Sequence, residues 1–260
     1  MVDMGYNEME LMICVASRVF EDGASVSVGT GVPCAAAMLS QKLYAPNLLI
    51  TFEAGSVAPI LPSMPLSVGD STTMSRALQT TSTADAMEML QRGLIDYCFL
   101  GGAQIDMYGN LNSTVIGDYR KPNVRFPGSG GANDFASMSW RTIVVTPQSK
   151  RRFTNDIDFI TTPGYLTGPG AREKAGLPRN TGPYKVITNM AVLGFDDKTK
   201  RMMIESVHPG YTIEDVQNNT GFELLVSESV GETEPPNREE LRILRKEVDP
   251  FRAVIGKKAQ

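Results

Sequence analysis

An open α/β sheet with flanking helices, built as a single domain over residues 1–260, is the fold class this sequence predicts. Three observations carry that expectation. The first sixty residues alternate in period: a helical apolar pattern, a short strand, a glycine turn, an Ala-rich helix and a second strand, which is the order of a βαβ unit. Farther on, the run Thr142-Ile143-Val144-Val145-Thr146 is a strong signal for a fully buried strand. A chain of 260 residues with 42% hydrophobic content can bury one large core, and no internal repeat, low-complexity linker or composition shift divides it.

Met9, Met12, Ile13, Ala16, Val19 and Phe20 fall at helical spacing, so residues 6–21 read as an amphipathic helix ending near Gly23. Residues 25–28 read as a strand, Gly29-Thr30-Gly31 as a tight turn, 34–43 as a helix and 48–52 as a strand. A long irregular excursion over 54–80 is expected from Gly55, Pro59, Pro62, Pro65 and Gly69. The N-cap signal at Thr81-Ser82-Thr83 opens a helix over 83–92 that Gly93 ends, and 94–100 follows as a strand. Seven glycines between 101 and 134 require sharp turns or a close approach of the backbone to another group. Beyond the strand at 142–146 come a weaker strand at 157–160, a loop over 164–182 and a hairpin of 186–195 with 202–207. A helical turn at 213–217, a strand at 222–226 and a helix at 238–247 close the chain, with the tail after Pro250 expected to fray.

Composition excludes several classes. A net charge of −4 with no long run of Lys and Arg lacks the footprint of a nucleic-acid binder, although small anions need only a few cations or amides. The first twenty residues place acids ahead of and within the apolar stretch, so neither a secretion signal nor a membrane span is expected. Cys14, Cys34 and Cys98 are odd in number, widely spaced and set among apolar neighbours, which fits a reducing cytoplasm and small core residues. No CxxC or Cys/His cluster offers a metal site.

With one histidine in the chain, Ser/His and Cys/His pairs are poor candidates for nucleophilic catalysis, and attention moves to carboxylates. Glu53 closes the apolar run Asn47-Leu48-Leu49-Ile50-Thr51-Phe52 and precedes Ala54-Gly55. Two readings of it stand: a structural carboxylate accepting backbone amides, or a nucleophile at the carboxyl end of a strand, where ligands gather in open α/β sheets. The run Gly128-Ser129-Gly130-Gly131-Ala132 offers backbone amides on a surface poor in side chains, which is what an oxyanion requires, though such a run also serves as a simple turn. His208 reads as structural or exposed, and Lys150-Arg151-Arg152 as a solvated face. Arg120, Lys121 and Arg125, inside the glycine-rich segment, are better placed for a ligand.

Taken in order, these stretches resemble the smaller (B) chain of the glutaconate-type CoA-transferases. The matching runs are Val28-Gly29-Thr30-Gly31-Val32-Pro33, Glu53-Ala54-Gly55, Ser67-Val68-Gly69-Asp70, Gly101-Gly102-Ala103-Gln104-Ile105-Asp106, Gly109-Asn110-Leu111-Asn112-Ser113-Thr114, Gly117-Asp118-Tyr119, Arg125-Phe126 and residues 128–133. Lys150-Arg151-Arg152-Phe153, Gly168-Pro169-Gly170 and Asn219-Thr220-Gly221-Phe222 extend the likeness over nearly the whole chain. The resemblance implies a CoA-transferase-like open α/β fold paired with a larger A subunit in a heterodimer or higher hetero-oligomer. It implies no permanently bound cofactor, coenzyme A as substrate, and a covalent glutamyl-CoA thioester on Glu53. It further implies Gly130 and Gly131 as oxyanion donors, with Gly29, Gly31, Gln104, Asn110 and Ala132 near the acyl-CoA.

One departure stands out. The glutaconate enzymes read Glu-Ser-Gly where this chain reads Glu53-Ala54-Gly55, which removes a hydroxyl beside the nucleophile. Relatives of the same fold have diverged into decarboxylases and ring-opening hydrolases, so hydrolysis or decarboxylation of an acyl-CoA is the alternative reaction. A non-catalytic subunit that completes a partner's site is the alternative of a different class. Val57, Ile60, Leu61 and Met64, in the stretch implied to shape the acyl pocket, suggest a less polar acyl group than a short dicarboxylate.

Overall fold

The Asn7 side chain accepts the Glu10 amide at 2.9 Å while the Glu10 carboxylate accepts the Asn7 amide at 3.0 Å, a capping box that starts helix α1 at Glu8. The computed structural model describes residues 5–256, which divide into two compact units: residues up to Phe99 together with those from Glu234, and Leu100–Thr233. Helix α1 spans Glu8–Ser17, shorter than the expected 6–21. Past Ser17 the amides of Arg18 and Val19 reach back only three residues, to Val15 and Ala16, and the helix tightens to a stop.

In the first unit β1 (Ser25–Ser27), α2 (Val32–Leu43) and β2 (Leu49–Phe52) form the expected βαβ unit, with Ser25 opposite Leu49 and Ser27 opposite Thr51 in a parallel ladder. The excursion after β2 is more ordered than expected. Strands β3 (Ser56–Val57) and β4 (Gln79–Thr80) extend the sheet antiparallel, and a 3-10 turn at Ser71–Met74 lies between them. Helix α3 (Thr83–Gln91), boxed by Ser82 and Asp85, leads to β5 (Tyr97–Leu100), which pairs with β1 on the side away from β2. The strand order is therefore β5-β1-β2-β3-β4. The chain leaves β1 toward β2 and later returns to its other side, which makes the carboxyl end of β1 a topological switch point.

The second unit opens with two hairpins: β6 (Gln104–Ile105) with β7 (Leu111–Asn112), and β8 (Val115–Gly117) with β9 (Pro122–Arg125). Five of the seven glycines of this segment punctuate these hairpins or the run that follows at positive φ or in close contact; a Cβ on Gly109 would meet the Phe195 ring at 2.9 Å. After α4 (Ala132–Met138) come β10 (Arg141–Val145), α5 (Ala171–Lys174), β11 (Pro183–Ile187), β12 (Ala191–Phe195), β13 (Met202–Val207), α6 (Ile213–Asn218) and β14 (Leu225–Glu232). Their sheet order is β14-β13-β12-β11-β10, over a core that includes Ile105, Leu111, Val144, Phe153, Val186 and Leu193.

Four expectations for this unit are corrected. Residues 157–160 are not a strand: the Asp158 amide is tied to the Gln104 side chain at 3.0 Å, and side-chain bonds replace a ladder. The strand expected over 186–195 is two strands, because Thr188 Oγ1 accepts the Met190 and Ala191 amides and folds the chain back. The strand expected at 222–226 begins at Leu225, since Phe222 and Leu224 are drawn into the core by Gln217, whose amide bonds Phe222 O and Leu224 N. Inside the loop over 164–182 a single helical turn, α5, is organised around the buried Arg172, which donates to the carbonyls of Pro163, Gly164, Ala136 and Ser137.

The chain re-enters the first unit with α7 (Arg238–Ile243), which gives way to a π turn at Leu244–Val248 where a continuous helix over 238–247 was expected. Helix α7 packs on α1 and α2, and Glu240 joins them: its carboxylate takes two bonds from Arg18, at 2.7 and 2.6 Å, and one from the Tyr44 hydroxyl at 2.7 Å. Asp249 then accepts the amides of Ala253, Val254 and Ile255, so the tail is held through Ile255, while the rest of the segment expected to fray lies outside the described residues. All three cysteines are buried and unpaired, and burial pushes the Cys34 thiol up to about 12.

Candidate active site

Glu53 opens the loop Glu53-Ala54-Gly55 that turns β2 into β3, with the Gly55 amide donating to Phe52 O at 2.9 Å. Gly55 has φ +98°, a conformation other residues rarely adopt, and its carbonyl accepts the Thr81 amide at 2.8 Å, so the loop is clamped against the approach to α3. The Glu53 side chain is half-buried rather than sunk in the core.

The ladder of β1 and β2 places a second loop beside it. Ser27 pairs with Thr51, and the Val28 amide donates to Thr51 O at 3.0 Å. Gly29 and Glu53 thus each lie two residues beyond a paired position, at adjacent carboxyl ends of parallel strands. From there Gly29-Thr30-Gly31 enters α2, whose N-cap Gly31 has φ 87° and ψ −141° and contributes no capping side chain. Pro33 removes one of the first-turn donors of α2, and the other amides of that turn carry the positive end of a twelve-residue helix. Within the first unit the structure therefore brings Glu53, Gly29 and Gly31 together at the switch point.

Gly130, Gly131, Ala132, Gln104 and Asn110 belong to the second unit. The glycine run is pinned at its start: the Gly128 amide donates to Ser113 O at 3.1 Å, and the Ser113 hydroxyl donates back to Gly128 O at 3.1 Å. Its end is pinned through Asn133, whose amide donates to Ser129 Oγ at 3.0 Å and whose side chain donates to Thr161 O at 3.0 Å. Between those anchors the Gly130 and Gly131 amides find no acceptor among the described residues, and no atom lies within 4 Å of a Cβ placed on Gly130. The Ala132 amide is already used, donating to Ser129 O at 2.9 Å.

Gln104 and Asn110 are engaged inside the fold. Asn110 donates to Asp106 Oδ2 at 2.7 Å and to Leu166 O at 2.9 Å, while its own oxygen accepts the amides of Gly164 and Leu166. Burial pushes the Asp106 carboxyl up, against the opposing bonds from Asn110 and Tyr108. Gln104 donates to Asp158 Oδ2 at 2.7 Å and accepts from Asn112 Nδ2 at 2.6 Å. Both amides build the wall on which the hairpins rest. Sequence reasoning had no signal for Ser113, Asn133 and Thr161, the residues that hold the glycine run, because their partners are distant along the chain.

The solitary histidine is structural. His208 is fully buried, with Nε2 donating to Thr188 O at 2.8 Å and Nδ1 accepting from the Thr233 hydroxyl at 2.9 Å. Among the described residues no group of three or more His, Cys, Asp or Glu is placed to hold a metal ion, and no helix is long and apolar enough to cross a membrane.

An open α/β unit with a carboxylate at the switch point, and a second unit presenting unpaired glycine amides, is the arrangement of an acyl-CoA-handling transferase, and comparison with known proteins agrees. The coenzyme A transferase family matches residues 9–219, and the chain belongs to that family. Within it the chain is similar to the B chain of glutaconate CoA-transferase from Acidaminococcus fermentans, at 41% identity over 96% of this chain and 95% of that protein. It is similar also to the B chain of 3-oxoadipate CoA-transferase from Pseudomonas knackmussii, at 37% identity over 92% of each. The crystal structure of glutaconate coenzyme A-transferase from A. fermentans superposes with a TM-score of 0.92 at 39% identity, covering 97% of this chain and 98% of that one. The resemblance carried by the ordered motifs and the expected open α/β fold are both borne out.

Proposed function

We propose that this chain is the smaller, B-type component of a heteromeric acyl-CoA:carboxylate CoA-transferase, with Glu53 as the residue that carries coenzyme A. The observation that supports the reading best is the position of Glu53: first residue of a clamped three-residue loop, half-buried, at the adjacent carboxyl ends of β1 and β2. The relatives, each named as one component of a two-chain enzyme, support a partner A chain for this one.

The chemistry follows from a carboxylate nucleophile. A Glu53 carboxylate oxygen attacks the thioester carbonyl, the carbon–sulfur bond breaks, and coenzyme A leaves as a thiolate, giving a mixed anhydride. The thiolate attacks the glutamyl carbonyl, releasing the first carboxylate and leaving a glutamyl thioester. A second carboxylate attacks that thioester, and the same two exchanges in reverse return free Glu53 and a new acyl-CoA. Each attack passes through a tetrahedral oxyanion, for which the unpaired Gly130 and Gly131 amides are the proposed donors. Gly29, Gly31 and Ala132 are proposed to lie near the acyl-CoA, with Gln104 and Asn110 supporting that wall. The residue beside the nucleophile is Ala54, so no hydroxyl there contributes a bond.

The test is chemical trapping in the complex assembled with the partner chain. Borohydride added with acyl-CoA should reduce the glutamyl thioester, inactivate the enzyme and mark Glu53 by peptide mass. Inactivation requiring acyl-CoA without modification of Glu53 overturns the reading. Coenzyme A release without a carboxylate acceptor identifies hydrolysis instead.

A further inference from the structure

The hairpin of β8 and β9 carries a surface that the transfer chemistry does not use. At its tip Tyr119, 56% exposed, stacks with Phe159 at 5.4 Å between ring centroids and an interplanar angle of 22°. The Arg125 guanidinium lies over the Tyr119 ring, 4.7 Å from its centroid, and donates to Tyr119 O. Arg120 and Lys121 stand exposed beside it. Asp118, the nearest acid in sequence, spends Oδ1 on the amides of Arg120 and Lys121 at 2.8 and 2.9 Å, which shapes the tip turn. Neither those two side chains nor Arg125 forms an ion pair among the described residues.

Such a surface is costly to leave in water without use: a flat π stack, a guanidinium plane and two unpaired cations within one short hairpin. It is also held in place from within. Phe159 follows Asp158, which Gln104 grips twice, at the backbone amide and at the carboxylate. The hairpin then runs from Arg125 through Phe126 and Pro127 into the Gly128 to Gly131 run, with Phe126 N bonded to Thr114 O at 3.0 Å. Platform and proposed oxyanion donors are one continuous piece of backbone inside one unit.

We infer that the Tyr119, Phe159 and Arg125 stack, with Arg120 and Lys121, receives the 3′-phosphorylated adenosine diphosphate end of the acyl-CoA substrate. The inference rests on the CoA-transferase reading above. Adenine stacks on the aromatic and guanidinium planes, as unpaired bases do on such surfaces, and the phosphates face the cations. Gln104 is then a positioning residue, acting through Asp158 on Phe159.

The experiment uses the assembled complex and two readouts. Calorimetric titration with coenzyme A and with adenosine 3′,5′-bisphosphate measures binding without any transfer. Steady-state rates with acyl-CoA and with the acyl-pantetheine lacking the nucleotide give a preference ratio in kcat/KM. Tyr119→Ala should weaken binding of both nucleotide probes roughly tenfold and cut the preference ratio by a similar factor, through KM rather than kcat, while Tyr119→Phe retains both. The paired Arg120→Ala and Lys121→Ala change should lower probe affinity and flatten its dependence on salt. Unchanged affinity in these variants, or equal losses with acyl-CoA and acyl-pantetheine, overturns the inference. In that case a wild-type complex that binds coenzyme A and is trapped at Glu53 leaves the functional reading standing. A wild-type complex that does not bind coenzyme A overturns both.

Discussion

A Cβ placed on Gly55 would lie 2.0 Å from the carbonyl oxygen of Thr81, closer than any side chain can stand to a backbone atom. The glycine is therefore required twice, once for its φ of +98° and once for this contact. Gly55→Ala should destabilise the chain by about 2–5 kcal/mol, from backbone strain and overpacking together. Urea denaturation checks this against Gly29→Ala, which meets nothing within 4 Å and should shift the midpoint little.

Removing the proposed nucleophile separates a catalytic from a supporting role for this chain. Glu53→Ala in the assembled complex should lower kcat by on the order of 10³-fold or more, because a covalent pathway is lost. Glu53→Asp, which withdraws the carboxylate by one methylene, should still cost about 10²-fold. Thermal melting should match the wild type in both, since the half-buried side chain has no hydrogen bond that the core depends on. Turnover near the wild-type rate in either variant would assign catalysis to the partner.

Stability should fall as the solution is acidified through the range of His208. Burial pushes its imidazole down to about 4 from 6.5, although the bond to Thr188 opposes that shift. Between those values the unfolded chain binds the proton and the folded chain does not. The stabilisation is thus fully present above pH 6.5, declines as pH drops toward 4 and levels off below it, a total of about 3 kcal/mol. Unfolding free energies measured by urea across this range should show the slope in the wild type and a weaker one in His208→Gln.

Glu240 should carry a second, lower pH dependence. Burial pushes its carboxyl up, but the bonds from Arg18, Tyr44 and Asn237 more than offset this, and it sits below its usual value, as does Glu10 beside Arg245. A depressed carboxyl contributes stability that is present above the unfolded value near 4.5 and is lost as pH falls through the folded one. Glu240→Ala leaves Arg18 and Tyr44 without their partner and should cost about 3 kcal/mol in chemical denaturation. Arg18→Ala should cost a comparable amount, and the double variant less than the sum.

The elements legible in the chain were those whose partners are near in sequence. The βαβ unit through Phe52 was readable because period, turn glycines and helix caps are local signals. The hairpin of Val115–Gly117 with Pro122–Arg125 was not, since its strands are short, exposed and polar, and it is held by Ser113 and Thr161 rather than by an apolar pattern. The strand break at Thr188 was missed because a hydroxyl accepting two amides resembles any other threonine until its neighbours are placed.

By itself the sequence determined the open α/β class, the scarcity of histidine that turns attention to Glu53, and through its ordered motifs the CoA-transferase family. Those are properties of composition, local period and fixed spacing. Only the tertiary structure decided which polar residues remain available for a ligand. Gln104, Asn110 and the Ala132 amide are taken by partners within the fold, while the Gly130 and Gly131 amides and the cations around Tyr119 stay open. The physical reason is that a hydrogen-bonding group can serve a ligand only with the valences the fold leaves unused, and that accounting closes only when distant segments meet.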